Sequence, residues 1–312
     1  MSALLTITMA MAAEGRLGDR WRKDKGDAPA TETKTIEHGG REREYVLYVP
    51  ASYAKDKAAP VVFIFHGGLS SAEKMVTFSD FTDYAERDGY ILVFPSAVDK
   101  NWNDGRGNES MTSQRENVDD VGLVAAILDS LKKTYSVDAK RVYATGISNG
   151  GLMSQRLAIE RSDLIAAIAP VAGSIAAPIA EKFAPKDPVS VIMFNGTEDP
   201  IMPFDGGVVS RDRGMVLSSK EVAAKWVERN KCKGPKHDNM PDQDPDDKCT
   251  VERDTWTGGE NGTEVILYTV KGGGHTWPGG RQYAMPFLIG VASQDANATE
   301  LIWDFFKKHK KP

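Results

Sequence analysis

The sequence predicts an α/β fold, a mostly parallel central sheet with helices on both faces. Continuous apolar runs such as Val61 to Phe65 and Tyr90 to Phe94 read as strands buried on both sides. Helical patterns alternate with such runs along most of the chain, as repeated strand–helix–strand units require. One strand, Val142 to Thr145, passes directly through Gly146-Ile147-Ser148-Asn149-Gly150 into a helix.

The elements follow in order. Thr33 to His38 and Arg41 to Val49 flank Gly39-Gly40, a hairpin signal. Val61 to Phe65 ends in His66-Gly67-Gly68, and Ala72 to Arg87 reads as one helix. Pro95 stops the strand that begins at Tyr90. Asn101 to Arg115 is polar and reads as a loop. Val121, Val124, Ala125, Leu128 and Leu131 have helical spacing, with Asp119 and Asp120 placed to favour the positive helix N-terminus. A helix from Gly150 to Glu160 follows the glycine-rich turn. Leu164 to Val171, Val189 to Phe194 and Val265 to Val270 are further strands; Ser218 to Arg229 and Ala298 to Lys308 are helices.

Composition narrows the function. The chain has 312 residues, 41% of them apolar, with a formal net charge of −5. An acidic balance argues against nucleic acid or an anionic membrane surface as partner. No run of eighteen apolar residues is present, so no membrane-spanning helix is expected. We expect one catalytic domain over 31–312, preceded by an arm or leader remnant over 1–30. The stretch from Ala3 to Ala13, with a small-x-small Ala10-Met11-Ala12, resembles the end of a secretory leader but lacks its charged start. The segment 231–263 reads as a loop insertion. Its cysteines, Cys232 and Cys249, bracket a polar stretch that cannot anchor itself by burial. A disulfide between them is expected, worth about 3 kcal/mol, and with it an oxidising compartment, secreted or periplasmic.

The chemistry gathers at four places. Gly146-Ile147-Ser148-Asn149-Gly150, between strand and helix, has the context of a nucleophile elbow. A serine needs a base. Among the five histidines, His275 is favoured because Gly272-Gly-Gly-His-Thr-Trp-Pro-Gly-Gly280 follows the last strand and lets the backbone approach a site closely. The carboxylate that orients the base should lie between serine and histidine in the chain. Asp199, just after a strand, is that residue. The developing oxyanion needs backbone donors: the Asn149 N–H, and a second from Gly68 or, alternatively, Leu69. Trp102 and Trp277 are expected to line the acyl pocket, with His66 beside the substrate as organiser of its loop and not as a second base. Asp242, Asp244 and Asp246 alternate like a calcium loop, but Asp247 and Arg253 stand where such a loop needs Gly and Glu, so a solvated acidic loop is expected. No metal and no cofactor are expected.

These motifs, together with Trp102-Asn-Asp-Gly and Val118-Asp-Asp-Val, resemble secreted polyhydroxybutyrate-depolymerase-like and feruloyl esterases over about residues 40 to 310. The resemblance implies an α/β-hydrolase fold, a triad of Ser148, Asp199 and His275, no cofactor, and small or oligomeric ester substrates. The paired cysteines are similar to that family too. No polymer-binding module is expected after the domain, which makes attack on insoluble polymer the weaker expectation. Feruloyl esters are the first expectation and 3-hydroxyalkanoate oligomers the second. Acetyl-xylan esterase, serine peptidase and an inactive binding module are the remaining alternatives. Activity is expected to rise with pH as a histidine base loses its proton.

Overall fold

The structure, a computed structural model, describes residues 29–312. The leader-like segment and nearly all of the expected arm lie outside the described residues.

In chain order, β1 (Glu32–His38) and β2 (Arg41–Tyr48) form the expected antiparallel hairpin. β3 (Ala59–Phe65) leads to α1 (Ala72–Phe78), α2 (Phe81–Asp88) and β4 (Ile91–Pro95). Then come α3 (Asp120–Thr134), β5 (Val137–Ile147), α4 (Asn149–Glu160), β6 (Ala167–Val171) and β7 (Ser190–Gly196). A small pair, β8 (Gly207–Val208) and β9 (Met215–Val216), precedes α5 (Ser219–Asn230). β10 (Lys233–Asn239), β11 (Thr250–Thr257), β12 (Val265–Lys271) and α6 (Ala298–Lys308) complete the chain.

Ten strands make one sheet in the order β1-β2-β4-β3-β5-β6-β7-β12-β11-β10. Its middle, β4 to β12, is parallel, and both edges are antiparallel. Alternate side chains of β3 enter opposite layers. Val61, Phe63 and Phe65 pack with Leu128 of α3, Leu157 of α4 and Trp226 of α5. Val62 and Ile64 pack with Met75 of α1, Phe81 of α2 and Trp303 of α6. Both faces are thus covered, which is why the central strands read as unbroken apolar runs.

Two expectations need correction. The helix expected over Ala72 to Arg87 is two helices. Asp80 adopts left-handed φ of 58°, and the Ser79 hydroxyl donates to the Met75 carbonyl, closing the first helix. The segment 231–263 is no loop: β10 and β11 extend the sheet from β12. Its polar composition fits an edge hairpin, whose outer residues stay in water.

The same hairpin overturns the disulfide. Both cysteines are free thiols. In the antiparallel register Lys233 faces Thr257 and Asn239 faces Glu252. Cys232 therefore sits at the Thr257 end of β11, and Cys249 at its other end, eight positions away (257 − 249). At ~3.4 Å per residue that is about 27 Å, whereas a disulfide needs Cα atoms within about 7 Å. Burial pushes the Cys249 thiol up to about 12, so its reactive thiolate is scarce near neutrality. Unreduced, denatured protein is expected to take up alkylating reagent at both cysteines. Reductant should leave Tm unchanged instead of removing the ~3 kcal/mol of a bridge. Mass spectrometry and a melting curve check both.

Candidate active site

The site stands at the carboxyl ends of the parallel strands, beside the point where the chain crosses from β4 back over β3 to β5. Open α/β sheets place ligands at such a switch point. Ser148 ends β5 and opens α4, with φ 58° and ψ −121°. A non-glycine residue there is strained, and the strain must be held by its surroundings. The tightness of the turn explains the glycines. A Cβ on Gly146 would stand 2.5 Å from the Phe65 carbonyl oxygen, and one on Gly150 2.3 Å from it. Only hydrogen lets β3 and the start of α4 come this close.

His275 and Asp199 come from loops after β12 and β7. The His275 Nδ1–H donates to Asp199 Oδ2 at 2.7 Å, and both side chains are nearly inaccessible. Asp199 Oδ1 accepts the Ile201 and Met202 N–H groups, each at 2.8 Å. The carboxylate is thereby fixed from both oxygens. With Nδ1 donating, Nε2 of His275 carries the lone pair. The Tyr283 hydroxyl donates to the His275 carbonyl at 2.7 Å, a brace that the sequence reading had not assigned. Ser148 and His275 line one cleft of about 720 Å³, with Asn149, Gly68 and Leu69 in the same wall.

The two alternatives for the second backbone donor now differ. The Leu69 N–H is engaged by the Lys100 carbonyl at 2.9 Å. Gly68 lies against the start of α4, where a Cβ would come 3.8 Å from the Asn149 Cβ. Asn149 is the first residue of α4, so its N–H lacks an intrahelical partner. Of the two candidates for the second donor, Leu69 is thus the one whose N–H is already engaged.

The expected substrate wall is corrected. Trp102 and Trp277 are buried in the core, and neither they nor His66 line the cleft. Trp277 packs edge-on against Phe78 and Phe81 and donates from Nε1 to the Thr299 hydroxyl. Trp102 donates from Nε1 to the His66 carbonyl at 2.9 Å. His66 Nε2 accepts the Ala97 N–H, which leaves the proton on Nδ1 to donate to the Gly67 carbonyl. Burial lowers the His66 pKa and keeps it neutral. All three follow strands on the side of the sheet where the cleft lies, His66 directly and the two tryptophans in loops, a signal that does not separate a pocket wall from the scaffold behind it.

That scaffold accounts for Trp102-Asn-Asp-Gly. The Asn149 side chain accepts the Trp102 N–H at 2.7 Å and donates to Asp104 at 2.6 Å. Asp104 pairs with Arg106, both buried. Asn103 donates its N–H to Asp120, and Asp120 pairs with Arg43 at 2.7 Å. Asp119 caps α3 through the Gly122 N–H. The acidic pair Asp119-Asp120 is thus structural, as its place at a helix end suggested. Near the cysteine segment, Asp295 accepts the Gln243 and Asp244 N–H groups, and among the described residues no three His, Cys, Asp or Glu side chains gather as metal ligands would.

The cleft mouth holds apolar side chains that the sequence reading did not single out. Leu69 is 73% exposed and Phe287 81%, with Leu288 beside them. Among the described residues no helix is long and apolar enough to cross a membrane.

Comparison with known proteins agrees with this architecture. The chain is 29% identical over 311 residues to the candidate esterase NocK of Nocardia uniformis subsp. tsuyamanensis, covering 96% of this chain and 89% of that one. It is 28% identical over 260 residues to feruloyl esterase B of Piromyces equi, covering 78% of this chain but spanning only 46% of that longer protein. The solved CE1 ferulic acid esterase of Anaeromyces mucronatus superposes with a TM-score of 0.53 at 17% identity, over 93% of this chain and 95% of that one, which identifies the fold as that of the α/β-hydrolases. A family model described as Esterase PHB depolymerase matches residues 43–217, more than half of the sequence. With this match and the esterase fold together, the chain belongs to the PHB depolymerase family of esterases.

Proposed function

We propose that the protein hydrolyses carboxylic esters through a covalent acyl-enzyme, with Ser148 as nucleophile, His275 as base and Asp199 as its orienting carboxylate. The observation that carries this reading is the strained Ser148 in the same cleft as a His275 already oriented by Asp199. Ser148 Oγ attacks the ester carbonyl carbon while its proton passes to His275 Nε2. The Asn149 and Gly68 N–H groups donate to the resulting oxyanion. As the tetrahedral centre collapses, the bond to the alcohol oxygen breaks and His275 returns the proton to it. Water, deprotonated by His275, then attacks the acyl-enzyme, and the acid leaves as Ser148 regains its proton. Asp199 stabilises the imidazolium in each half-reaction. No step in this sequence needs a cofactor.

Feruloyl esters are the first substrate class and 3-hydroxyalkanoate oligomers the second. The name of the Piromyces equi relative favours the former and the family description the latter. Export from the cytoplasm belongs to the same reading; it rests on the leader-like segment, and the free thiols lend it no support. Initial rates on methyl ferulate, an acetylated sugar, a 3-hydroxybutyrate oligomer and p-nitrophenyl esters decide the substrate. Methyl ferulate is expected to give the highest kcat/KM. A higher value on the hydroxybutyrate oligomer would move the assignment to the second class, and faster cleavage of matched amides would make the enzyme a peptidase.

A further inference from the structure

The cleft carries one sign of charge. Lys74, Arg106, Arg211, Arg213 and Arg281 line it, and no Asp or Glu does. This is unlike the chain as a whole, in which 44 acidic residues outnumber 39 basic ones. Arg106 is neutralised by Asp104 behind it. Among the described residues no ion pair is found for Lys74, Arg211, Arg213 or Arg281.

The positions of these cations are built. Arg211 and Arg213 stand on the loop 209–214 between β8 and β9, which closes through bonds from Val209 N–H to the Gly214 carbonyl and from Arg213 N–H to the Val209 carbonyl. Arg211 and Asp212 both adopt left-handed φ, 63° and 54°. Non-glycine residues seldom adopt this conformation, so two in succession cost strain that the local structure must offset. Arg213 Nε donates to the Ser210 carbonyl at 2.7 Å, fixing the guanidinium at the cleft wall. Burial, and after it the neighbouring charges of Arg106 and Arg211, lower its affinity for a proton. Arg281 is exposed and lines the same cleft as His275 and the exposed Phe287 and Leu288.

We infer that the ester taken by this cleft bears a second, ionised acid group, a carboxylate on its acyl or its alcohol half, which Arg211, Arg213 and Arg281 receive while the apolar rim holds the intervening chain. This rests on the esterase reading above and deepens it by naming the charge of the substrate: within the feruloyl class the ionised group stands on the alcohol half, so methyl ferulate reports the acyl preference alone and the matched esters below report the charge. Guanidinium forks suit a planar carboxylate, and clefts of one charge with low-dielectric walls concentrate the oppositely charged ligand.

The test uses the full-length enzyme and three methyl esters sharing a six-carbon acyl chain: monomethyl adipate (anionic), methyl hexanoate (neutral) and methyl 6-aminohexanoate (cationic). For the alcohol half, the dimer of 3-hydroxybutyrate with a free carboxylate is compared with its own methyl ester at the shared internal ester bond. In at least one half the anionic ester is expected to exceed its neutral partner in kcat/KM by about tenfold, the scale of one charge-assisted hydrogen bond. The cationic ester should be the poorest. The advantage should shrink as ionic strength rises, and in Arg211→Gln and Arg281→Gln, both at exposed positions, the anionic-to-neutral ratio should fall towards one. Turnover of the neutral esters with no anionic advantage in either half overturns this inference alone. An advantage that survives both substitutions overturns the assignment to these arginines. Failure to hydrolyse any of the esters overturns the esterase reading, and this inference with it.

Discussion

Ser148→Ala is expected to lower kcat by about 10⁴–10⁶, with the folded state intact. The reason lies in how the site is assembled. The serine is the only group proposed to form the acyl bond, and Ala fits the same strained turn because the change removes one oxygen. The sharper form of the expectation concerns pairs. Nucleophile and base act as a unit, so Ser148→Ala/His275→Ala should be little slower than either single variant. Steady-state rates on a p-nitrophenyl ester, with circular dichroism as control for folding, measure both. Losses that multiply would mean that the two residues act independently, contrary to the shared proton transfer proposed for Ser148 and His275. A residual rate above water is expected in the double variant, because the Asn149 and Gly68 donors remain.

Arg43→Met is expected to destabilise the fold by about 3–5 kcal/mol, the scale for leaving one member of a buried ion pair alone. Arg43 and Asp120 are both almost fully buried, 2.7 Å apart. Burial raises the pKa of the Asp120 carboxyl, while Arg43 and the Asn103 N–H oppose that shift. Without Arg43 the carboxylate must either stay charged in an apolar layer or take up a proton. Asp120 also holds the Asn103 N–H, and Arg43 holds the Ser96 carbonyl at 3.1 Å. The loss should therefore reach the Trp102 loop and lower activity at temperatures where the protein is still folded. Urea denaturation gives the first quantity and initial rates at low temperature the second. The double variant Arg43→Met/Asp120→Leu removes both charges and should recover much of the stability, since an apolar replacement of a whole buried pair is often neutral. A double variant as unstable as the single one would show that packing or the Asn103 bond, and not the stranded charge, dominates.

The sequence by itself determined the α/β class, the positions of most parallel strands, and the candidate Ser148, Asp199 and His275 in their order. These were legible because each depends on local pattern: unbroken apolar runs for strands buried on both faces, glycines for a turn too tight for a Cβ, and a fixed order of chemical groups along the chain. The tertiary structure alone decided what long-range contact decides. In sequence β10 and β11 look like a polar insertion because an edge hairpin has little buried surface to announce it, and its register is what sets Cys232 and Cys249 at opposite ends. Trp102 and Trp277 look alike whether they line a pocket or stand behind it, and only packing shows that both are buried away from the cleft. The choice of Gly68 over Leu69 turned on one backbone bond to Lys100, whose partner lies 31 positions away (100 − 69). The arginines of the cleft come from segments around 106, 211 and 281, too far apart in sequence for any charge pattern to reveal. A charge cluster made by the fold is a property of distance in space, and the chain order holds no record of it.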